Sequence, residues 1–264
     1  HEATFYFRID DPYSWLLAQV LPRFAEHFGV RVTPRVMLYL DSSMYPEPDM
    51  LRELAPRDAA ALAALHDLSF PADWQIPDRE TALAATRCLL KHEHDARFWS
   101  LAHALSSALW SGDTDALQRL GKEHGQQAED QAQLALEARR DQFLKDGHYL
   151  TGTLHYGGEW YWSLERLDHL ARRLESLGLG SGPWPLDYGR AKRADLPGAP
   201  VDPKADNSEP EPPVLEMFFS FRSPYSYIAL PRAYALADHY GLTLRLRPVL
   251  PMVMRGLSVP RAKR

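Results

Sequence analysis

The chain has 264 residues, enough for one large domain or two ordinary ones, each able to bury a core. Its hydrophobic fraction of 45%, charged fraction of 25% and net charge of −5 are those of a globular protein and argue against nucleic acid as the main partner. No apolar run approaches the roughly 20 residues that span a bilayer, and a single cysteine, Cys88, rules out an internal disulfide or a C-x-x-C pair.

Ala3 to Ile9 reads as a buried strand. Asp11 and Pro12 then open a helix, as N-cap and first helical residue, that runs to about Phe28, with Pro22 expected to kink it. Gly29 ends the helix, and Val30 to Leu40 reads as a second strand, so the opening is a βαβ unit. From Pro48 to Lys145 the spacing is helical, in four segments: Leu51–Leu68, Thr81–Trp110, Thr114–His124 and Ala128–Phe143. Cys88 lies within the second of these and reads as a buried structural thiol. His92, Glu93 and His94 read as a solvated face rather than a metal cluster, and no spaced ligand pattern suggests a metal. Thr151–Tyr156, the turn Gly157-Gly158 and Glu159–Trp162 read as a β-hairpin whose aromatics either pack as core or line a pocket. A helix from Leu164 to Leu177 closes this half at Gly178.

Eight of the 21 prolines fall between Gly178 and Pro213, which marks a linker. After it the opening repeats. Residues 5–38 and 217–250 align without a gap at an offset of 212, with identities that include Phe7/Phe219, Pro12/Pro224, Tyr13/Tyr225, Ser14/Ser226, Gly29/Gly241 and Arg35/Arg247. The pair that differs in chemical kind is Asp11 and Ser223. The expected division is 1–177, a linker at 178–213, and the opening βαβ of a second unit at 214–264. A βαβ piece alone has too little core to stand by itself, so the chain is expected to be an incomplete record of a longer protein, or the piece to dock on the first domain or on a partner. No basic-then-apolar leader is expected, although His1 in place of Met points to a trimmed natural N-terminus, which weakens that expectation.

The order βαβ, helical block, β-hairpin, closing helix is that of an α/β thioredoxin-like fold with a large helical insertion, here about 48–145. The stretch Met217-Phe-Phe-Ser-Phe-Arg-Ser-Pro-Tyr-Ser-Tyr227, with Arg247-Pro-Val-Leu250 and Ser258-Val-Pro-Arg-Ala-Lys263, resembles the DsbA-like superfamily. It is nearest to the branch of 2-hydroxychromene-2-carboxylate isomerases and kappa-class glutathione transferases, where S-P-x-S replaces C-P-x-C. Gly158-Glu-Trp-Tyr-Trp-Ser-Leu-Glu-Arg-Leu-Asp168 resembles the same family's closing hairpin and helix start.

The resemblance implies glutathione as cofactor, a small aromatic or electrophilic substrate, and Ser223 as the catalytic residue that donates a hydrogen bond to the arriving thiolate. It also sets Tyr225, Ser226 and Arg247, with Glu165 and Arg166, at substrate- or glutathione-binding positions. A serine at a helix start is equally what capping alone prefers. Asp11 in the equivalent place would repel a thiolate, so it reads as a cap, or else as a general base for a different substrate. The proline that the family places before the hairpin is missing near Thr151-Gly152, and Leu164 replaces a small polar residue, so the first half reads as an altered copy. The expected protein is cytoplasmic, works on a small molecule rather than nucleic acid or membrane, and leaves a homodimer open as its assembly. Two alternatives stand beside the glutathione enzyme: a non-catalytic binding or scaffold protein, and a glutathione-independent hydrolase or isomerase using Asp11. Dithiol exchange is excluded by the single cysteine.

Overall fold

The computed structural model describes residues 1–38, 40, 47–185 and 212–256. Residues 1–185 belong to a first compact unit and 212–256 to a second. Most of the proline-rich linker and the segment Ser258–Lys263 lie outside the described residues.

The first unit is built on β1 (Glu2–Arg8), α1 (Pro12–Phe28) and β2 (Arg31–Met37), followed much later by the hairpin β3 (Thr153–Tyr156) and β4 (Glu159–Trp162). These strands form one mixed sheet in the order β2-β1-β3-β4, with β1 and β2 parallel and β3 antiparallel to both of its neighbours. That order and sense are those of a thioredoxin-like sheet. Alternation along β1 decides its two faces: Ala3, Phe5, Phe7 and Ile9 enter the main core, while Tyr6 packs on Met37 and Phe143 in a smaller cluster on the other side.

Between β2 and β3 lie five helices: α2 (Pro48–His66), α3 (Arg79–Lys91), α4 (Phe98–Ser111), α5 (Thr114–His124) and α6 (Glu129–Asp146). The single helix expected over Thr81–Trp110 is two. Its break at residues 92–97 is made by side chains that have other partners: His92 is buried against the His124 carbonyl (2.9 Å), and Asp95 binds its own turn through the Arg97 N–H (2.9 Å). The solvated face expected for His92 and Glu93 is therefore corrected, since both are buried and only His94 of the three is exposed. Glu93 takes a two-pronged bond from Arg139 (2.6 and 2.8 Å). The pair closes on the outer edge of β2, where Glu93 accepts from the Val36 N–H and Arg139 donates to the Val36 carbonyl. Cys88 is buried, and burial pushes its thiol up to about 11, so it stays a neutral packing group.

After the hairpin a single 3-10 turn (Leu164–Arg166) leads into α7 (Leu167–Ser176), whose Leu167, Leu170, Ala171 and Leu174 form one buried stripe. Residues 179–184, read from sequence as linker, pack back on α1. Trp184 meets Phe24 and His27 edge-on (5.0 and 5.2 Å), and Leu179 joins the core margin. Among the described residues no helix is long and apolar enough to cross a membrane.

The second unit is β5 (Val214–Phe219), α8 (Pro224–His239) and β6 (Thr243–Pro248), with a short turn to Arg255. Its strands are parallel in a register that runs from Val214↔Thr243 to Phe219↔Pro248. Subtracting 212 gives Glu2↔Arg31 to Phe7↔Val36, the register of β1 and β2.

Candidate functional site

The sequence Arg8-Ile-Asp-Asp-Pro-Tyr-Ser14 is the turn from β1 into α1. Pro12 has no N–H to lose at the first helical position. Asp11, in extended conformation, turns its carboxylate over the helix start, where backbone donors are unpartnered. Oδ1 accepts from the Tyr13 N–H at 3.2 Å. Oδ2 accepts from the Ser14 hydroxyl at 2.7 Å and from the Thr151 hydroxyl at 2.8 Å. Ser14 Oγ in turn accepts from the Arg8 N–H at 3.2 Å, which ties the helix start back to the strand end.

Thr151 arrives from 140 residues away, just before β3. Gly152 follows it at φ +66°, and there a Cβ would lie 3.0 Å from the Ser14 nitrogen and 3.2 Å from Asp11 Oδ2. Only glycine accepts both that backbone and that approach. Its N–H donates to the Tyr6 carbonyl and its carbonyl accepts from Ser163, so the hairpin is held against the helix start without a proline. No cis peptide occurs among the described residues.

Asp11 is only 6% exposed, and burial is the main cause that pushes its carboxyl above the usual carboxylate range. The Arg8 guanidinium and the Ser14 and Thr151 hydroxyls pull the other way, and Asp10 adds to the rise. Beside Asp11 opens a cavity of about 310 Å³, walled by Tyr13, Leu51, Ile76, Trp110 and Trp162 with Arg52 and Thr151 among its polar groups. Each aromatic wall is fixed. Trp110 donates its indole N–H to the Ile9 carbonyl (3.1 Å), Trp162 to the Thr151 carbonyl (3.1 Å), and the Tyr13 hydroxyl donates to Asp58 (2.7 Å). The last bond links α1 to the insertion and, with burial, raises the Tyr13 phenol pKa.

In the second unit Ser223 caps α8 as Asp11 caps α1. Its backbone is extended and its Oγ accepts from the Ser226 N–H at 3.3 Å. Ser226 Oγ accepts from the Ser220 N–H at 3.3 Å, the counterpart of Ser14 and Arg8. Ser223 and Ser226 are half-buried, and Tyr225 is 65% exposed. Arg247 is exposed on β6 and held by Glu216, whose Oε1 accepts its Nε–H at 3.0 Å.

Seven residues carry site roles in the sequence reading, and they divide between the units: Asp11, Glu165 and Arg166 in the first, Ser223, Tyr225, Ser226 and Arg247 in the second. Glu165 is exposed on the 3-10 turn near enough to Tyr13 to raise its phenol, and Arg166 is half-buried beside His169 (3.5 Å). Of the hairpin aromatics, Trp162 lines the cavity whereas Tyr161 is buried and Trp160 joins the Tyr6 and Phe143 cluster. Thr151, Ser14, Trp110 and Arg52 are the site residues that sequence reasoning missed. The Ser14/Ser226 identity was the one available signal, since it repeats a hydrogen bond and not only a residue.

No family model and no curated protein matches the chain. Among solved structures it is similar to a 2-hydroxychromene-2-carboxylate isomerase, with a TM-score of 0.49 and 16% identity over 67% of this chain and 96% of that one. It is also similar to the cytosolic disulfide reductase DsbM from Pseudomonas aeruginosa, with a TM-score of 0.43 and 14% identity over 61% of this chain and 87% of the reductase. The same reductase with GSH matches with a TM-score of 0.41 at 13% identity, over 61% of this chain and 88% of the other.

Proposed function

We propose that the protein is a glutathione-dependent isomerase or transferase made of thioredoxin-like units in tandem, joined by the proline-rich linker and acting in the cytoplasm on a small aromatic or electrophilic compound. The observation that carries this is the placement of Ser223 at the α8 N-cap, half-buried, with its Oγ accepting from the Ser226 N–H and its own proton available to donate. A helix start bears about half a positive charge and unpartnered N–H groups, so a thiolate beside Ser223 gains a hydrogen bond and a favourable field. Tyr225, Ser226 and Arg247 belong to the same unit and are the groups assigned to the remainder of glutathione.

The chemistry needs no further reactant. The thiolate adds to an electrophilic carbon and forms a C–S bond, and where that carbon is part of a conjugated C=C the π pair moves onto the carbonyl oxygen and leaves a single bond. In a transfer a leaving group departs with its electron pair, and in an isomerisation the C–S bond breaks again after rotation and returns the thiolate. Calorimetric titration of glutathione into wild type and Ser223→Ala tests the reading. Binding that weakens about 10- to 150-fold on losing one charged hydrogen bond of about 1.5–3 kcal/mol is expected. No binding to either protein would leave a non-catalytic scaffold in its place.

A further inference from the structure

The first unit has a chamber that the glutathione reading does not use. At its helix start the position over the backbone donors is filled by the Asp11 carboxylate itself, and the Gly152 backbone closes the approach from the hairpin side. A thiolate has no place there, and the carboxylate would repel one. Yet the cavity of about 310 Å³ reaches the size of small-ligand sites, with aromatic walls pinned by their own hydrogen bonds.

We infer that this chamber is a thiol-free proton-transfer site, in which Asp11 takes a proton from the carbon next to the carbonyl of a flat, uncharged ligand lodged in the cavity walled by Trp110 and by Tyr13 and Trp162, whose rings meet edge-on at 5.4 Å. Two features of the geometry select this chemistry. Oδ2 is committed to two hydroxyls, whereas Oδ1 accepts a single backbone N–H and keeps a lone pair for an incoming proton. The cavity walls are largely apolar and aromatic, and beside Asp11 its charged lining is Arg8, Asp10 and Arg52, of which Arg52 can still donate after its bond to the Pro77 carbonyl (2.8 Å). In the forward step the C–H bond breaks and an O–H bond forms on Oδ1. The C–H electron pair becomes a C=C bond, and the carbonyl pair moves onto oxygen, facing Arg52. Return of the proton to the same or a conjugated carbon completes a tautomerisation with no net consumption of any reactant. Thr151 and Ser14 are positioning residues, since they hold Oδ2 and so aim Oδ1.

A raised carboxyl value suits such a base. The groups around it are Arg8 and Asp10 after β1, the Ser14 and Thr151 hydroxyls, Arg52 of α2 in the cavity lining, and Tyr13 of α1, on which Asp58 of α2 and Glu165 of the 3-10 turn act in turn. The test uses the whole chain and β-tetralone, a neutral bicyclic ketone, with deuterium uptake beside its carbonyl followed by NMR in heavy water. Wild type is expected to accelerate uptake over buffer, to the same extent with and without glutathione, and to lose the acceleration as pH falls through the Asp11 value. Asp11→Asn keeps a good N-cap and is expected to slow uptake by about 100-fold or more. Thr151→Val removes a bond that stabilises the charged carboxylate and aims Oδ1, so it is expected to slow uptake less than Asp11→Asn does and to move the acid limb to higher pH. Uptake in wild type no faster than in Asp11→Asn, an acid limb unmoved in Thr151→Val, or a requirement for glutathione would each overturn the proposal. Glutathione binding at Ser223 is read separately by calorimetry, so failure of one site is distinguishable from failure of the other.

Discussion

Asp11 and Ser223 stand at equivalent places, and what separates them is charge and burial. Ser223 presents a neutral hydroxyl at a half-open helix start. Asp11 presents a carboxylate enclosed by two hydroxyls and a backbone N–H. The N-cap role of each was legible from the dipeptide with proline alone, because capping is local. The bond to Thr151 was not, because nothing in a strand-helix turn says which residue 140 positions away will meet it. The enclosure has a consequence for stability. A carboxyl whose native value lies above its unfolded value binds protons more tightly when folded, so its favourable contribution is full below the unfolded value and is lost as pH rises through the native one. Wild type should therefore gain on Asp11→Asn as pH falls from 7 to 4, measured as the difference between their urea midpoints. A difference constant with pH would show that Asp11 titrates alike in both states.

At the scale of elements, local punctuation was readable in the Gly29 helix end at φ +62°, the Gly157-Gly158 turn and the 3.6-residue stripe of α7, whereas the Asp78 cap that starts α3 at Arg79 was not. The helices continuing through 92–97 were not readable as two, because His92, Glu93 and Asp95 fit a helix pattern, while His92 and Glu93 are held by tertiary partners and Asp95 by its own turn. Glu93 is the decisive one. It lies buried on the β2 edge with Arg139 as its counterion, and together they occupy the Val36 N–H and carbonyl that an open edge strand would expose. Removing one partner leaves a buried charge, which costs about 3–5 kcal/mol, whereas an uncharged pair of similar volume is close to neutral. Arg139→Met should lower unfolding free energy by that amount in urea titration, and Glu93→Gln with Arg139→Met together should recover most of it. Equal losses in the single and double variants would show that the clamp acts through packing alone.

At the scale of the whole molecule the two units differ in what covers them. Trp15 and Leu16 are each 1% exposed beneath the first unit's insertion, while their counterparts Tyr227 and Ile228 are 74% and 61% exposed. A large apolar side chain left in water forgoes about 1.5–3 kcal/mol. Among the described residues of the second unit only Phe219 and Ala237 are buried. Residues 1–185 expressed alone should unfold in one cooperative thermal transition by circular dichroism, whereas residues 212–256 alone should show none. A cooperative transition in the short fragment would mean that a strand-helix-strand of this composition needs no cover.

By itself the amino-acid sequence determined the periodic elements, their caps, the parallel strand-helix-strand opening and its second occurrence at an offset of 212, since these follow from nearest neighbours and from spacing along the chain. Tertiary structure alone decided that Thr151 holds Asp11, that Trp110 and Trp162 wall a cavity beside it, and that Glu93 is buried rather than solvated. Burial and long-range hydrogen bonds depend on which distant segments meet, and that is a property of the packed chain rather than of any window within it.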